Sequence, residues 1–451
     1  MELKKHLSFF LTFALAIAFA ILTYKLYKYQ IWDSTAYLSN ANYFLTGNGY
    51  FEILRAPLFP IILTSFIPFS LENFVPPIFI FLFLLSTYFL GRELFGKKTG
   101  FFAALIAAAM PLFIIWSPRI LSDVPAATFA TIALIFANRA IKDVKNLYIF
   151  GFFASLAFLT RYPAGIVLPI GLLYYLSQKK FVIFKEKETY LSAVAFAVLP
   201  AIWFLWTWKN FGSPLVSLQQ GITTIATLAS KEPLTFYAST FHNTFGILAF
   251  PAILALLAGF LTLRKDNNLW FIYMWIFFTY IALSIISHKE ERYVMLIVPA
   301  ISILMASMAF KFKFKKALVV ALIIFVALSF NAGYREIQKI KTGDICNENI
   351  IEAAKYVSGA GHVISSYYPI ISYYGDVTGV AFQSDESWLS GLIELKNVIY
   401  VLASDGGDAP EWAKTKGYFE KLEYLAFEKE FKGPCQTIWA FKVINSGQTI
   451  V

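Results

Sequence analysis

Residues 7–27, LSFFLTFALAIAFAILTYKLY, decide the fold class of this chain. The stretch carries no charge before Lys25, and as an α-helix it is long enough to cross about 30 Å of hydrocarbon. Lys4, Lys5 and His6 precede it, and no small-residue cleavage site follows it. We therefore expect a retained membrane anchor whose N-terminus lies in the cytoplasm.

The rest of the sequence has the same character. Of 451 residues, 58% are hydrophobic, 47 are Phe and only 15% are charged, which is more apolar surface than soluble domains can bury. Eleven apolar runs predict membrane-spanning helices, at 7–27, 74–90, 100–116, 124–138, 147–160, 163–177, 190–208, 243–263, 269–287, 293–310 and 317–331. The predicted fold class is an all-α polytopic membrane protein over residues 1–331.

Basic residues support this topology. If the spans alternate, the inner segments hold about twice as many Lys and Arg residues as the outer ones, as the positive-inside rule requires. These lysines are scattered over many short loops, and they form no single basic stripe. The net charge of +10 therefore indicates membrane lipid, and no nucleic acid, as a partner. We expect a multi-pass protein of the plasma membrane.

Residues 332–451 predict a small α/β domain on the outer face. Charge rises there, 362–366 and 397–402 have the pattern of buried strands, and 349–357 and 410–420 that of helices. The two cysteines, Cys346 and Cys435, stand near the two ends of this domain. On an oxidising face they could pair, although two unrelated thiols remain an alternative.

The first outer loop, residues 28–73, begins with YQIWDSTAYL at 29–38. Asp33 can cap a helix whose apolar positions follow helical spacing, and we expect this helix to lie in the membrane interface. Those positions are Tyr37, Leu38, Ala41, Phe44 and Leu45. A second outer loop, between residues 209 and 242, is also long and rich in Thr, Ser and Gln.

Charged residues close to the outer span ends are the candidates for chemistry. Two carboxylates, Asp33 and Asp123, stand tightly against span ends, where a charge needs a partner or a function. Arginines arrive from several loops on the same side, namely Arg55, Arg119, Arg161 and Arg292, and His288 accompanies them. Guanidinium groups bind phosphate with a bidentate fork. The pattern predicts a site for an anionic substrate at the lipid boundary.

Each candidate also has a structural interpretation. Asp33 and Asp123 could merely cap helices, and Arg161 and Arg292 could anchor lipid head groups. His288 fits an interfacial hydrogen-bonding residue better than a metal ligand, because the other outer histidines lack ligand spacing. Paired carboxylates permit a divalent metal, Mg or Mn, at Asp33 and Asp123, and they do not demand one.

The order of these features resembles the GT-C superfamily of integral-membrane glycosyltransferases. An Asp follows the first span, and the motifs that come after it are RAPLFP at 55–60, LGRELFG at 90–96, Asp123, LTR at 159–161 and HKEERY at 288–293. More narrowly, the chain is similar to the protein O-mannosyltransferases and the lipid A aminoarabinose transferases. The resemblance covers roughly residues 1–331, and it rests on the order of the motifs.

The resemblance implies transfer of a hexosyl-type sugar, with inversion, from a polyprenyl (dolichyl) phosphate carrier to an acceptor hydroxyl on the outer face. Asp33 would be the general base and Asp123 the second acidic position. Arg55, Arg161, Arg292 and His288 would face the donor phosphate. Ser34 follows Asp33 where the O-mannosyltransferases have an Asp-Glu pair, so the acceptor stays open between protein, glycan and lipid.

A polytopic transporter or lipid flippase is the alternative function, favoured by the many spans and their Pro and Gly breaks. Transporters usually place ionisable groups near the bilayer midplane and often contain repeats. Here the charges cluster at one face and the spans show no repeat. A membrane anchor for the outer domain would leave that clustering unexplained.

Overall fold

The computed structural model describes residues 2–228, 232–263, 266–407 and 409–444. The chain divides into two compact units. The membrane unit comprises Met1–Leu26, Ile53–Phe59 and Leu71–Ile337, and the C-terminal unit comprises Tyr27–Glu52, Pro60–Ser70 and Gln338–Val451. Composition predicts one boundary, at residue 331, between the membrane part and the outer domain. The structural division differs in that it also assigns most of the first outer loop to the C-terminal unit.

Helices make up most of the chain as far as residue 343. They are α1 (Glu2–Thr23), α2 (Asp33–Thr46), α3 (Leu58–Thr64), α4 (Val75–Phe95), α5 (Lys97–Ala109), α6 (Pro111–Trp116), α7 (Asp123–Ala140), α8 (Asn146–Thr160), α9 (Val167–Lys179), α10 (Lys187–Phe211), α11 (Val216–Leu228), α12 (Phe236–Ser239), α13 (Phe241–Phe245), α14 (Ala249–Thr262), α15 (Asn267–Ile285), α16 (Val298–Lys311) and α17 (Lys315–Gly343). Short 3₁₀ helices connect several of them. The predicted helical class is confirmed.

Seven helical stretches of the described residues are long and apolar enough to cross a membrane. They are His6–Thr23, Glu72–Phe95, Lys187–Phe211, Phe241–Thr262, Asn267–Ile285, Glu291–Lys311 and Lys315–Tyr356. The other predicted spans, 100–116, 124–138, 147–160 and 163–177, fall on helices that are shorter, interrupted or less apolar. The protein is a multi-pass membrane protein, and the count of eleven stays a prediction.

A proline explains one of the interruptions. Pro111 has no N–H group, and the backbone of Met110 leaves the helical region with φ −67° and ψ 129°, which separates α5 from α6. The break exposes the carbonyl of Ala109, and the Ser329 hydroxyl of α17 donates to it at 2.6 Å. Such a substitute partner is needed because no water reaches broken backbone within hydrocarbon.

Small residues let neighbouring helices approach closely in the membrane unit. A Cβ on Gly91 of α4 would lie 3.1 Å from the Cα of Gly100 in α5. A Cβ on Gly100 would lie 2.5 Å from the carbonyl oxygen of Tyr88, so neither position has room for a larger residue. Close backbone contact of this kind replaces the hydrophobic driving force that is missing between helices in lipid.

The C-terminal unit is built on a five-stranded sheet. Its elements after residue 343 are α18 (Glu348–Tyr356), β1 (His362–Ser365), α19 (Tyr368–Gly375), β2 (Thr378–Val380), α20 (Trp388–Lys396), β3 (Val398–Ser404), α21 (Lys416–Phe419), β4 (Leu425–Lys432) and β5 (Thr437–Val443). The strand order is β2-β1-β3-β5-β4. Strands β1, β2 and β3 are parallel, whereas β5 runs antiparallel to both β3 and β4.

Most of the predicted elements of this unit are confirmed. Strands occur at both expected places, and α18 matches the first predicted helix, whereas the second, 410–420, is a 3₁₀ turn followed by the single turn of α21. Val363 and Ile364 of β1 point into two separate apolar clusters, because successive side chains of a strand face opposite sides. The sheet is therefore covered on both faces.

Cys346, in the 3₁₀ turn before α18, and Cys435, in the turn between β4 and β5, form a disulfide with their Cα atoms 5.3 Å apart. The bond links positions separated by 89 residues. On the chain-entropy estimate, closing a loop of that length stabilises the unit by about 4–5 kcal/mol. The pairing considered from the sequence is thus present in the structure.

Helix α2 packs on α19 within the C-terminal unit. Protein covers three of the five apolar positions that the sequence assigned to the membrane interface, since Tyr37, Leu38 and Ala41 are buried, whereas Phe44 is half buried and Leu45 is exposed. Trp32, just before the helix, has φ 49° and ψ −120°. A bulky residue in this region costs on the order of 1–3 kcal/mol, and it persists only where its surroundings fix it.

Candidate functional site

Asp123 is the centre of a buried charge cluster in the membrane unit. It is the first residue of α7 and is 2% exposed. Its Oδ1 lies 3.3 Å from Nη1 of Arg161, and its Oδ2 lies 3.8 Å from Nη1 of Arg292. A buried carboxylate needs such cations, because its own desolvation is unfavourable. The structure therefore brings together three of the residues selected from the sequence.

Arg161 enters the cluster from the end of α8. Its backbone is extended, with φ −158° and ψ 114°, and its amide donates to the carbonyl of Ala157. The side chain turns toward the start of α7, where Nη1 donates to Ser122 Oγ at 3.4 Å. Its guanidinium lies 4.3 Å from the ring centroid of Tyr293, a cation–π distance. Packing and charge together hold this arginine in one orientation.

Arg292 and Glu290 form a bidentate pair beside it. Arg292 Nε donates to Glu290 Oε2 at 2.6 Å, and Nη2 donates to Oε1 at 2.7 Å. The Arg292 side chain is only 7% exposed. Tyr293 also donates its hydroxyl to Glu290, at 3.1 Å. From the sequence alone, Glu290 and Glu291 in HKEERY are expected to form a solvated pair beside Lys289. For Glu290 this expectation is wrong, because the fold turns its carboxylate onto the Arg292 guanidinium.

His288 takes part through the same carboxylate. Its Nε2 lies 3.2 Å from Glu290 Oε1, while its Nδ1 is buried and has no hydrogen-bond partner among the described residues. The predicted phosphate-binding histidine is thus tied to the cluster, and one ring nitrogen is left for a ligand. This geometry fits a hydrogen-bonding role, and the assignment of His288 to the donor phosphate stays a prediction.

Trp116 forms an aromatic wall of the cluster. The guanidinium of Arg292 lies 5.4 Å from its ring centroid, and that of Arg119 lies 4.7 Å from it. Arg119 stands in the loop between α6 and α7. Arginines stacked on aromatic faces keep their charge while losing part of their hydration. The cluster therefore contains a third arginine, Arg119, which the sequence placed on the outer side but did not assign to the phosphate.

Tyr237 is a further residue that sequence reasoning missed. It lies on the short helix α12, inside the long outer loop, and is 3% exposed. Its hydroxyl has no hydrogen-bond partner among the described residues. Burial raises the pKa of Tyr237, the charge of Arg161 opposes that rise, and Glu290 and Asp123 reinforce it. The length of the loop was the only signal, since one tyrosine among 25 does not stand out.

Asp33 and Arg55 belong to the first outer loop. Asp33 is half buried and begins α2 in the C-terminal unit. The N-cap position is occupied by Trp32, whose side chain makes no capping hydrogen bond. Arg55 is half buried in the membrane unit, in the loop that leads into α3. The roles assigned to these two residues stay predictions.

A divalent metal does not fit at Asp123. Within the described residues, no three His, Cys, Asp or Glu side chains are grouped so that they could hold a metal ion. Both oxygens of Asp123 already face guanidinium groups within 4 Å, and those positive charges repel a cation. No step of the chemistry below is therefore assigned to Mg or Mn.

Two family models match the membrane part of the sequence. Residues 72–206 match dolichyl-phosphate-mannose-protein mannosyltransferases, and residues 229–342 match the Alg9-like mannosyltransferase family. An uncharacterized protein of Aquifex aeolicus is 26% identical over 226 residues, which is 49% of this chain and 45% of that relative. The match thus spans under half the length of the relative.

Solved structures show the same fold. The crystal structure of ArnT from Cupriavidus metallidurans bound to undecaprenyl phosphate matches with a TM-score of 0.73 at 14% identity, over 97% of this chain and 98% of that one. The oligosaccharyltransferase AglB from Archaeoglobus fulgidus, in complex with an inhibitory peptide and a dolichol-phosphate, matches with a TM-score of 0.61 at 14% identity, over 90% of this chain and 70% of that one. The fold is that of GT-C glycosyltransferases, and the family models agree with membership of that superfamily.

Proposed function

We propose that this protein is a glycosyltransferase that takes a sugar from a polyprenyl-phosphate carrier. It transfers a hexosyl group, with inversion, to a hydroxyl of a protein, glycan or lipid acceptor on the outer face of the membrane. The observation that carries the proposal is the buried pairing of Asp123 with Arg161 and Arg292. The GT-C fold around this cluster supports a function in sugar transfer.

The arginines act on the departing phosphate. Breaking the glycosidic bond leaves a prenyl phosphate whose negative charge grows in the transition state. Arg161 and Arg292 present fixed positive charge, and both are oriented by carboxylates and aromatic rings before any substrate arrives. Such preorganised charge stabilises the transition state without reorganisation of the site. Arg55 and His288 are assigned to the same phosphate.

Asp123 keeps these arginines in place. Two guanidinium groups repel each other when they are brought together out of water, and the carboxylate between them removes that repulsion. Ionised Asp123 has both oxygens directed at the arginines, so in this proposal it acts as a positioning residue for the phosphate site. The base must then be a different carboxylate.

Asp33 is that base in the proposed mechanism. Inversion requires a group on the face of the sugar opposite the phosphate, where it accepts the proton of the acceptor hydroxyl as the new bond forms. The start of a helix is a favourable place for a negative charge, because the positive end of the helix dipole lies there. Asp33 is the first residue of α2 and keeps partial solvent access.

In the proposed topology, the C-terminal unit lies on the outer, extracytoplasmic side of the plasma membrane. The disulfide between Cys346 and Cys435 supports this side, because such bonds persist in oxidising compartments. The distribution of lysines supports a cytoplasmic N-terminus. The donor phosphate, the acceptor and the charge cluster would then meet on the outer face.

The proposal is tested with the full chain purified into lipid nanodiscs. A tritiated polyprenyl-phosphate hexose is supplied together with a membrane extract as the source of acceptors. Wild-type protein should transfer label, and Asp33→Asn should reduce the rate by about 10²–10⁴-fold, the usual contribution of a general base. Asp385→Asn, at an exposed position of the C-terminal unit, is the matched control and should keep full rate.

Two results would contradict the mechanism. Full activity of Asp33→Asn would show that another group accepts the proton. Movement of the labelled lipid between leaflets, without transfer to any acceptor, would favour the flippase alternative instead. Both can be measured on the same nanodisc or proteoliposome preparation.

A further inference from the structure

The segment before Asp33 is fastened within the C-terminal unit at three successive residues, Lys28, Tyr29 and Gln30. Lys28 Nζ lies 2.6 Å from Glu348 Oε1. The ring of Tyr29 meets the edge of Tyr374 at 6.5 Å. The amide of Gln30 donates to the Tyr374 hydroxyl at 2.9 Å. A segment held by charge, ring packing and a backbone hydrogen bond has little freedom to move relative to its support.

Ile31 and Trp32 continue this attachment into an apolar core. Both pack against the cluster around Ile350, Ile370 and Leu402 on one face of the sheet. The ring centroid of Trp32 lies 5.8 Å from that of Tyr367. Trp32 therefore enters the C-terminal unit as part of its core, although it belongs to the first outer loop.

Trp32 meets the sheet at its carboxyl edge. Strand β1 ends at Ser365, two residues before Tyr367. Strand β3 ends at Ser404, and Gly406 and Gly407, shortly after it, lie against the Tyr367 side chain. Strands β2 and β3 are both parallel to β1 and lie on opposite sides of it. In an open α/β sheet, the carboxyl edge at such a point is where ligands usually bind. Here a Cβ on Gly407 would lie 2.9 Å from the phenol ring. Tyr367 therefore lies in this crevice, with Trp32 beside it.

The start of α2 is built on the backbone of the same two residues. Ser34 donates its amide to the carbonyl of Ile31 at 3.1 Å, and Ala36 donates to the carbonyl of Trp32 at 3.0 Å. The Thr35 hydroxyl also donates to Trp32, at 2.7 Å. Any shift of Trp32 therefore moves the first turn of the helix, and Asp33 stands in that turn.

The backbone conformation of Trp32 is unfavourable, so contacts elsewhere in the structure must hold it. Its φ of 49° with ψ −120° is unfavourable for a residue with a Cβ. Nothing in the local sequence requires this conformation, since neither neighbour is Gly or Pro. The contacts of the indole ring supply the constraint, and strain of this kind is maintained only by a surrounding structure that determines it.

We infer that Trp32 is a positioning residue, through which the C-terminal unit fixes the placement of Asp33. The C-terminal unit is thus a scaffold for the catalytic loop. Tyr367, with Trp32 docked beside it, lies in the crevice where such a sheet would otherwise bind a ligand. This inference rests on the proposed function of Asp33 as the base. In consequence, the catalytic rate depends on the contact of Trp32 with Tyr367, which lies outside the charge cluster of the membrane unit.

The test compares four variants of the full chain in nanodiscs, with polyprenyl-phosphate mannose as donor and a membrane extract as acceptor. Trp32→Ala and Trp32→Gly should lower kcat by roughly ten- to a hundredfold, as expected for misplacement of a reacting group, with the KM for the donor within about twofold. Trp32→Phe keeps an aromatic anchor and should recover most of the rate. Trp388→Ala removes an exposed indole of the same unit and should change nothing.

A second measurement does not need activity. Hydrogen exchange at the amides of residues 33–38 should be faster in Trp32→Ala than in wild-type protein, and unchanged in Trp388→Ala. The positioning role is overturned if exchange at those amides is unchanged, or if Trp32→Gly transfers sugar at the wild-type rate while Asp33→Asn does not. Absence of transfer by the wild-type protein would overturn the proposed function alone, because the exchange result still decides whether Trp32 fixes α2.

Discussion

Arg161 Nη1 lies 3.3 Å from Asp123 Oδ1, and the carboxylate it meets is almost completely buried. The two residues come from opposite ends of consecutive helices, Asp123 from the start of α7 and Arg161 from just beyond the end of α8. Because the helices are antiparallel neighbours, these two ends coincide in space. The pairing therefore follows from the hairpin of α7 and α8, and it sets the charge balance of the whole cluster.

Removing the carboxylate should damage both stability and activity. Asp123→Ala removes the carboxylate that lies between Arg161 and Arg292, and loss of one partner of a buried pair costs about 3–5 kcal/mol. We expect a lower apparent Tm in nanodiscs and loss of sugar transfer.

Two further variants test that expectation. Adding Arg161→Gln to Asp123→Ala should recover part of the stability, because it removes one of the two repelling charges, but it should recover none of the activity. Glu93→Gln breaks the more exposed pair with Arg139 and should cost under about 1 kcal/mol. An Asp123→Ala protein as stable as wild type would show that the pair has no structural role.

Arginine at positions 161 and 292 should not be replaceable by lysine. Arg161→Lys and Arg292→Lys keep the charge but lose the planar fork and the stacking on Tyr293 or Trp116. We expect the KM for the polyprenyl-phosphate donor to rise by about tenfold in each variant, with a smaller change in kcat. Initial rates over a range of donor concentrations give both values.

Arg139→Lys serves as the matched control, since Arg139 pairs with Glu93 away from the cluster. It should leave the KM for the donor unchanged. Wild-type kinetics in both of the cluster variants would mean that the two guanidinium groups do not contact the donor phosphate.

Tyr237→Phe should separate stability from activity. The hydroxyl is buried without a partner among the described residues, so deleting it should leave the ligand-free protein equally stable or more stable, by about 1 kcal/mol. Because burial raises the pKa of Tyr237, the group is a neutral hydrogen-bond donor at physiological pH. If it donates to bound substrate, transfer should fall by roughly tenfold.

Tyr280→Phe is the control, because this ring is the edge-on neighbour of Tyr237 at 6.4 Å. It should have no effect on transfer. A Tyr237→Phe protein that is fully active would assign the buried hydroxyl no part in substrate binding.

Breaking the disulfide should destabilise the C-terminal unit. Cys346→Ser with Cys435→Ser removes a cross-link between positions separated by 89 residues, worth about 4–5 kcal/mol on the chain-entropy estimate. The double variant should show faster proteolysis of residues 338–444 and a lower apparent Tm. Transfer should fall in parallel, since α2 is packed on this unit.

The reduced wild-type protein should behave like the double variant, which excludes an effect of the serines themselves. Maleimide labelling before and after reduction measures the thiols directly. Labelling of both cysteines in the native, unreduced protein would contradict the bond.

Much of the fold was predictable because its signals are local. Uninterrupted apolar runs such as residues 7–27 indicate spans directly, since a span must satisfy its backbone internally and cover its length with apolar side chains. The alternating and buried patterns at 362–366 and 397–402 likewise predicted β1 and β3. The order of charged residues at span ends, from Asp33 to Arg292, depends only on where each helix begins and ends.

Tertiary structure alone decided which of those residues are partners. Glu290 has the sequence context of a solvated carboxylate, yet the turn after α15 directs it onto Arg292. Tyr237 has no local signal, and α2 has the pattern of an interfacial helix although protein covers most of its apolar side. Helical periodicity determines which side of an element is apolar, but packing of distant segments determines what covers it. The sequence therefore specified the spans, the small α/β domain and the candidate residues, whereas their pairing, burial and attachment to α19 depended on the assembled fold.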